Sequence, residues 1–556
     1  MKERLVIIGG VAAGTKAASK ARRDNPNLDI KVYTKDKYVS YAGCGLPYYL
    51  SGIISDRQEL LVRSPEDFKL DQNIEIYIRH QVTFIDHAKK EIMVHDMVKD
   101  MDYPVSYDRL IIATGASAVV PRLENVELEG IHTLRSIDDA IEIRDRIDKG
   151  EIRNAVVVGG GFIGVEAAEN LLLKGIKVVM VELFDHILPP FDEEMALLVQ
   201  NHMKEMGINI ITKEKVLGFS GKNGKVKLVH TTGGDFETDL VILSIGVKPN
   251  VKFAADSGIE LGVTGAIKVN EFMETNLEDI YAAGDCAESV QLITGKPAWF
   301  PMGSTANKMG RIAGENAAFG KKTDGAKLFG VVGTAVVKVG QMNAGRTGLT
   351  ERDAKKAGFD YETIIVPAND KAHYYPGTRI ITTKLVIDKK SMKILGAQVV
   401  GEGNIDKPID EYVAAITLGA NYDDLSSMDL AYAPPFNMAM GSSIVTANVM
   451  KNKIDGKLHA VNSKELQKLI ADGNVQILDI REEIEHFISA IPGSLNIPLA
   501  GLSARIDELD KTKELIVIIC KVGKRSFTAY KVLRELGFTN VAILEGGTTS
   551  YPYELI

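Results

Sequence analysis

Short aliphatic and β-branched runs alternate with longer stretches whose apolar positions recur at helical spacing. Leu5–Ile8 is a strand-like run ending in Gly9-Gly10. Val11–Arg23 is Ala-rich and helical, and Ile30–Tyr33 reads as a second strand, so the chain opens as a βαβ unit. The same grammar returns with Ala155–Val158, Gly159-Gly160-Gly161, a helical stretch over Phe162–Lys174, and Val178–Val181. Two such units predict two dinucleotide sites. Between Val331 and Ser443 the pattern changes. Val332–Val339, Tyr361–Val366, Thr382–Val386 and Ile394–Val400 read as strands, followed by a helix near Ile409–Leu418. No phosphate loop accompanies them, which favours an interface or dimerisation domain over a substrate domain. Val449–Leu458 is polar, Lys-rich and contains Gly456, and reads as a linker. Beyond it, a helix capped by Ser463 (Lys464–Ala471), strands Gln476–Ile480 and Leu515–Cys520, a helix Ser526–Leu536 and a strand Val541–Leu544 predict a separate small α/β domain.

Composition narrows the function. The 556 residues predict about three to four domains. Lys and Arg number 66 against 74 Asp and Glu, a net charge of −8, which argues against a nucleic-acid partner. With 45% hydrophobic and 25% charged residues the balance is that of a soluble globular protein. Three cysteines exclude a disulfide framework and suit a reducing compartment. No run approaches the ~18 apolar residues that cross a membrane, and the N-terminus has no long apolar signal region. The expected location is cytoplasmic, with no membrane partner and no metal site.

The first glycine loop, Gly9-Gly10-Val11-Ala12-Ala13-Gly14, lies between strand and helix, where free N–H groups and the helix dipole meet a pyrophosphate. Val11 departs from G-x-G-x-x-G, and Thr34, followed by Lys35, stands where an acidic ribose ligand is expected. Two distant segments join it: Leu110–Gly115, with Ala113, Thr114 and Gly115 at its turn, and Asn276–Asp285, ending in Gly284-Asp285. Together they resemble the FAD fingerprint of flavoproteins with two dinucleotide-binding domains. That resemblance implies that Asp285 holds the ribityl chain and adds Gly246 to the cofactor residues. The second loop, Gly159-Gly160-Gly161-Phe162-Ile163-Gly164, satisfies G-x-G-x-x-G in full. Glu182 follows the next strand about 20 residues on, where a carboxylate accepts both ribose hydroxyls and repels a 2′-phosphate. NADH is expected over NADPH. Glu166, early in the helix, is either a helix-dipole charge or, by the resemblance, a residue near the nicotinamide.

Cys44 sits in Tyr38–Tyr49 between Gly43 and Gly45. The C-x-x-x-x-C spacing of dithiol reductases would put its partner at Val39 or Tyr49, so an internal disulfide is excluded here. A lone thiol can instead alternate with a mixed disulfide or a sulfenic acid. Cys286, beside Asp285, reads as a packed thiol. The S-x-x-x-C-x-x-P form from Ser40 to Pro47 resembles the coenzyme A-disulfide reductases over about residues 1–450. Gly43 departs from the Asn that the family often carries. The resemblance implies that Cys44 holds one CoA as a mixed disulfide. It implies substrate contacts at Lys16, Lys20, Arg23, Ser40 and Gly43; a solvated helix face is the alternative for the cations. Asn307 and Lys308 align near a CoA-contacting position but depart from its usual His-Arg. In Ala372–Gly377 and Ala431–Phe436, Tyr374 and Tyr432, ahead of Tyr375, are implied to reach the partner subunit's cysteine; turn packing against proline is the alternative.

Cys520-Lys521-Val522-Gly523-Lys524-Arg525-Ser526 follows a strand and precedes a helix. It resembles the rhodanese loop C-x-x-G-x-R-S, whose N–H groups and cations stabilise a persulfide. Cys520 and Arg525 are the implied catalytic residues, and Ala490 replaces the family's His before Ile-Pro-Gly. The expected fold is α/β: two Rossmann-like dinucleotide-binding domains (FAD, 1–120 and 245–328; NAD, 121–244), an α+β dimerisation domain (329–448), a linker (449–458) and a C-terminal rhodanese-like α/β domain (459–556). The resemblance implies a homodimer that uses NADH, FAD and CoA to reduce CoA disulfide, CoA persulfide or polysulfide. An NADH oxidase or peroxidase working through a sulfenic acid is the alternative.

Overall fold

The computed structural model describes residues 2–320 and 325–556. Residues 321–324, inside the expected 245–328 segment, lie outside the described residues. The chain forms two compact units, Met1–Val181 with Glu214–Val331, and Glu182–Lys213 with Val332–Ile556.

In the first unit a parallel sheet runs in the order Ile280–Ala282, Arg109–Ile112, Arg4–Ile8, Asp29–Thr34, Glu75–Ile78. Leu5, Val6 and Ile7 are fully buried at its centre. Such continuous apolar strands are what a parallel sheet covered on both faces requires. Helix Ala12–Asp24 follows the first strand and packs on helix Gly303–Phe319. The two come close because a Cβ on Gly310 or Gly314 would fall 2.4 or 2.3 Å from the Ala13 or Ala17 carbonyl oxygen. A second parallel sheet contains Lys177–Val181, Asn154–Val158, Leu240–Leu243 and Ile131–His132. The two βαβ units read from the glycine loops are thus present, and each loop lies at the carboxyl end of its unit's first strand, where α/β folds bind ligands.

The second unit holds an antiparallel sheet ordered Ala335–Val339, Met342–Gly348, Ile394–Gly401, Ile380–Asp388, Tyr361–Asn369. Strand Met342–Gly348 was not expected, because Met-Asn-Ala-Gly-Arg-Thr-Gly carries no apolar alternation. The parallel sheet that follows runs Ala460–Val461, Val541–Leu544, Leu515–Ile519, Val475–Asp479, Leu495–Asn496. Segment 182–213, expected inside 121–244, packs in the second unit. There fully buried Lys384 lies 3.1 Å from Asp192, 2.5 Å from Glu194 and 2.7 Å from Glu351. The expected linker 449–458 is helical through residue 454, the end of helix Ser442–Ile454. Of its lysines, Lys453 is largely buried, whereas the side chains of Lys451 and Lys457 stay exposed. Among the described residues no helix is long and apolar enough to cross a membrane.

Candidate active sites

The first glycine loop is shaped by contact. Gly9 has φ +113°, and a Cβ there would fall 2.1 Å from the Ala113 carbonyl oxygen. A Cβ on Gly14 would fall 1.9 Å from the Gly9 carbonyl oxygen. Ala113 N–H donates to Ile8 at 2.7 Å, which brings the 110–115 turn against the loop. Thr114 Oγ1 donates to the Asn250 carbonyl at 2.7 Å, and Val119 N–H donates to the Gly246 carbonyl at 2.9 Å. In the second loop a Cβ on Gly164 would fall 2.0 Å from the Gly159 carbonyl oxygen, whereas a Cβ on Gly161 would meet nothing within 4 Å. Gly161 therefore faces open space at the N-cap of helix Phe162–Leu172. Both loops are closed on the strand side, and the second is open at its helix N-terminus, the shape that fits a dinucleotide pyrophosphate. Glu182 is buried and its Oε1 accepts from Phe184 N–H at 2.9 Å.

Cys44 is exposed on a 3-10 turn, Gly43–Gly45, that leads into helix Leu46–Ser51. The segment is tied to the first loop: Ser40, at φ +46°, donates its N–H to the Gly10 carbonyl at 2.9 Å. Desolvation first, then the charge of Glu166, pushes the Cys44 thiol up, and Arg135 opposes them. Tyr48 Oη donates to Glu166 Oε1 at 3.2 Å. Burial raises the Glu166 carboxyl to about 7 against that hydrogen bond, with Glu169 adding to the rise. Arg135 Nη2 lies 3.4 Å from Asp285 Oδ2. Burial raises the Asp285 carboxyl, and Arg135 opposes it. Arg135 was missed in the sequence: it belongs to no glycine loop or cysteine motif, and only folding brings it to Cys44. Tyr48 lies four residues after Cys44 in the cysteine segment, but its pairing with Glu166 exists only in the fold. Cys286 is fully buried, its S–H directed at the Ile112 and Ala283 carbonyls, both at 3.4 Å, as expected of a packed thiol.

The expected substrate residues divide. Lys16 and Arg23 are exposed on helix Ala12–Asp24. Lys20 instead turns inward, 2.7 Å from Asp24 and 2.9 Å from Glu315. The resemblance implied all three as substrate contacts, but the packed helix Gly303–Phe319 supplies Glu315 as a partner for Lys20. Lys308 is exposed, and Asn307 Nδ2 donates to its own helix at Gly303. In the second unit the two tyrosine segments meet, Ala372 N–H donating to the Pro434 carbonyl at 3.4 Å. Tyr374 and Tyr432 are 65% and 49% exposed and hydrogen-bond each other, which pushes the Tyr374 phenol up.

Cys520 ends strand Leu515–Ile519. Gly523, at φ +90°, turns the chain into helix Lys524–Glu535. The Cys520 sulfur accepts from Gly523 N–H at 3.1 Å and Ser526 N–H at 3.4 Å. Two N–H groups and a helix N-terminus on one sulfur are the arrangement that stabilises a thiolate. Arg525 lies close enough to Cys520 for the two charges to interact. It makes a bidentate pair with Glu485 at 2.7 and 2.8 Å, which pulls that carboxyl down to about 2. Lys521 and Lys524 are exposed beside the loop. Ala490, where the resemblance expects His, exchanges backbone hydrogen bonds with Ile556 at 2.7 and 2.9 Å.

Residues 3–298 match the family described as pyridine nucleotide-disulphide oxidoreductase, and residues 334–444 match its dimerisation domain. The chain belongs to this family. Residues 462–552 match the rhodanese-like domain. An NAD(P)H sulfur oxidoreductase (CoA-dependent) from Pyrococcus furiosus is 38% identical over 81% of this chain and 99% of its own length. A NAD-dependent persulfide reductase from A. fulgidus superposes with a TM-score of 0.93 at 40% identity, over 99% of this chain and 100% of that one. A reduced CoADR-RHD from Bacillus anthracis gives the same TM-score at 35% identity, over 99% and 98%. The fold expected above, two dinucleotide-binding domains, a dimerisation domain and a rhodanese-like domain, is that of this oxidoreductase.

Proposed function

We propose that this oxidoreductase uses NADH to reduce CoA disulfide, CoA persulfide or polysulfide through Cys44, and that Cys520 carries sulfane sulfur to or from the CoA-bearing site. The observation that carries the reading is one thiol on a turn bonded to the first phosphate loop, flanked by Glu166, Tyr48 and Arg135, on a chain that also holds a thiol inside an N–H cradle. FAD would be held by the Gly9–Gly14 loop, Ala113–Gly115 and Asp285, and NADH by Gly159–Gly164 and Glu182. A flavin there supplies the relay that converts hydride from NADH into two electrons for a sulfur–sulfur bond. This chain's residues manage the sulfur. The Cys44 thiolate attacks a CoA disulfide, forms a Cys44–S–S–CoA bond and releases one CoA thiolate, which takes a proton. Two electrons and one proton then free the second CoA and restore the Cys44 thiolate. Arg135 favours that thiolate, and Tyr374 and Tyr432 of the partner subunit donate to leaving thiolates. At Cys520 the thiolate takes the outer sulfur of a persulfide donor; one S–S bond forms as another breaks, and no net electrons move. Exposed Tyr374, Phe436 and Met440 on the dimerisation domain support a homodimer.

Anaerobic stopped-flow reduction by NADH, followed by separate acceptors, tests the reading. Reoxidation by CoA disulfide, CoA persulfide or polysulfide should outpace reoxidation by oxygen or peroxide; the reverse order would instead make the chain an oxidase or peroxidase. Cys44→Ser should abolish acceptor reduction while retaining flavin. Cys520→Ala should spare CoA disulfide and slow polysulfide.

A further inference from the structure

The helix turn that the sequence presents as a linker is a fastening. Lys453, 16% exposed at the end of helix Ser442–Ile454, donates from Nζ to Glu545 Oε1 at 2.7 Å and the Thr363 carbonyl at 2.9 Å. Glu362 Oε1 lies 3.0 Å away. The Glu545 carboxylate is fully buried, and its other oxygen accepts from Ile365 N–H at 3.0 Å. Five residues on, Ser550 Oγ and Thr382 Oγ1 share a buried hydrogen bond of 2.9 Å. The turn Glu545–Ser550 is thus held at both ends by the antiparallel sheet and the helix that ends at Ile454.

The middle of the same turn grips the sulfur loop. Thr548 N–H donates to the Cys520 carbonyl at 2.9 Å and Thr549 N–H to the Lys521 carbonyl at 3.1 Å. A Cβ on Gly547 would fall 2.3 Å from the Cys520 carbonyl oxygen, so the turn lies directly against the loop. The donors that reach the Cys520 sulfur, Gly523 and Ser526 N–H, follow within six residues of those carbonyls. Their aim depends on where the carbonyls are held. A buried ion pair is not a strong source of net stability compared with apolar packing, but it is directional, and removing one partner leaves an uncompensated charge.

We propose that Lys453 and Glu545 are positioning residues for Cys520, holding the turn that aims the loop's N–H groups at its sulfur. The proposal rests on the reading of Cys520 as the sulfur carrier. It makes the dimerisation domain part of the sulfur-loop support rather than a neighbour joined by a tether.

The test is the pH profile of Cys520 alkylation by iodoacetamide in the full-length Cys44→Ser protein, read by peptide mass spectrometry. Lys453→Met should move the midpoint up by about one pH unit, which is about tenfold in thiolate at a fixed pH below it. Lys453→Arg should restore the wild-type profile, and Thr382→Val should shift it in the same direction as Lys453→Met by less. With Cys44 intact, Lys453→Met should reduce CoA disulfide with NADH at the wild-type rate. A profile unmoved in Lys453→Met and Thr382→Val, with only the melting temperature lowered, would overturn the proposal. If Lys453→Met does not fold, an unmoved Thr382→Val profile alone overturns it. Loading with a persulfide donor separates the two readings. If wild-type Cys520 gains no cyanide-labile sulfur while the alkylation profile still responds to Lys453, the carrier role fails and the positioning role stands.

Discussion

Replacing Glu166 by Gln tests the electrostatics around Cys44. Glu166 is a half-buried member of helix Phe162–Leu172 and accepts from Tyr48 at 3.2 Å. Burial lifts its carboxyl from 4.5 to about 7. Keeping it ionised near pH 8 therefore costs about 3 kcal/mol, at roughly 1.4 kcal/mol per pH unit. The folded carboxyl holds its proton to a higher pH than the unfolded one. The native state consequently loses stability as pH rises from about 4.5 to about 7. Glutamine keeps the shape and removes the charge. Glu166→Gln should match the wild type near pH 4.5 and exceed it by up to about 3 kcal/mol near pH 8. Urea unfolding of the full chain at several pH values measures the difference. A second readout is chemical: without that anion the Cys44 thiol should titrate lower, and alkylation of Cys44 at neutral pH should quicken. Parallel stability curves for the two proteins, together with an unchanged Cys44 profile, would refute the argument that Glu166 is a desolvated charge facing the thiol.

Arg135→Met should act on Cys44 in the opposite direction, raising the alkylation midpoint, because it removes the cation that opposes burial and Glu166; a mass-spectrometric alkylation profile reads it. Gly161→Ala should fold normally, since a Cβ there meets nothing within 4 Å, yet raise the KM for NADH severalfold in steady-state assays. Gly164→Ala, whose Cβ would fall 2.0 Å from the Gly159 carbonyl oxygen, should instead lower the melting temperature. Lys384→Met strands buried Asp192 and Glu194 beside Glu351 and should destabilise the second unit by about 3–5 kcal/mol, a fall of roughly 10 °C in calorimetry.

The glycine loops, the two βαβ openings, Cys44 and the Cys520 loop were legible because each is a local pattern. A strand, a tight turn and a helix N-terminus lie within about a dozen residues, and their chemistry follows from backbone geometry. What depends on a long-range partner was not legible. The resemblance marked Lys20 as a substrate contact, and only the approach of helix Gly303–Phe319 gives it Glu315. Arg135 reaches Asp285 and Cys44 only when folding brings it there. Arg525 reads as the loop's charge, and only folding pairs it with Glu485. Lys453 has the sequence context of a solvated linker, and burial against Glu545 makes it a fastening. An ionic side chain is long and carries no periodicity of its own, so its partner is set by the packing of elements distant in sequence. Local order therefore determined which chemistries this chain carries, and tertiary packing decided which charges serve them.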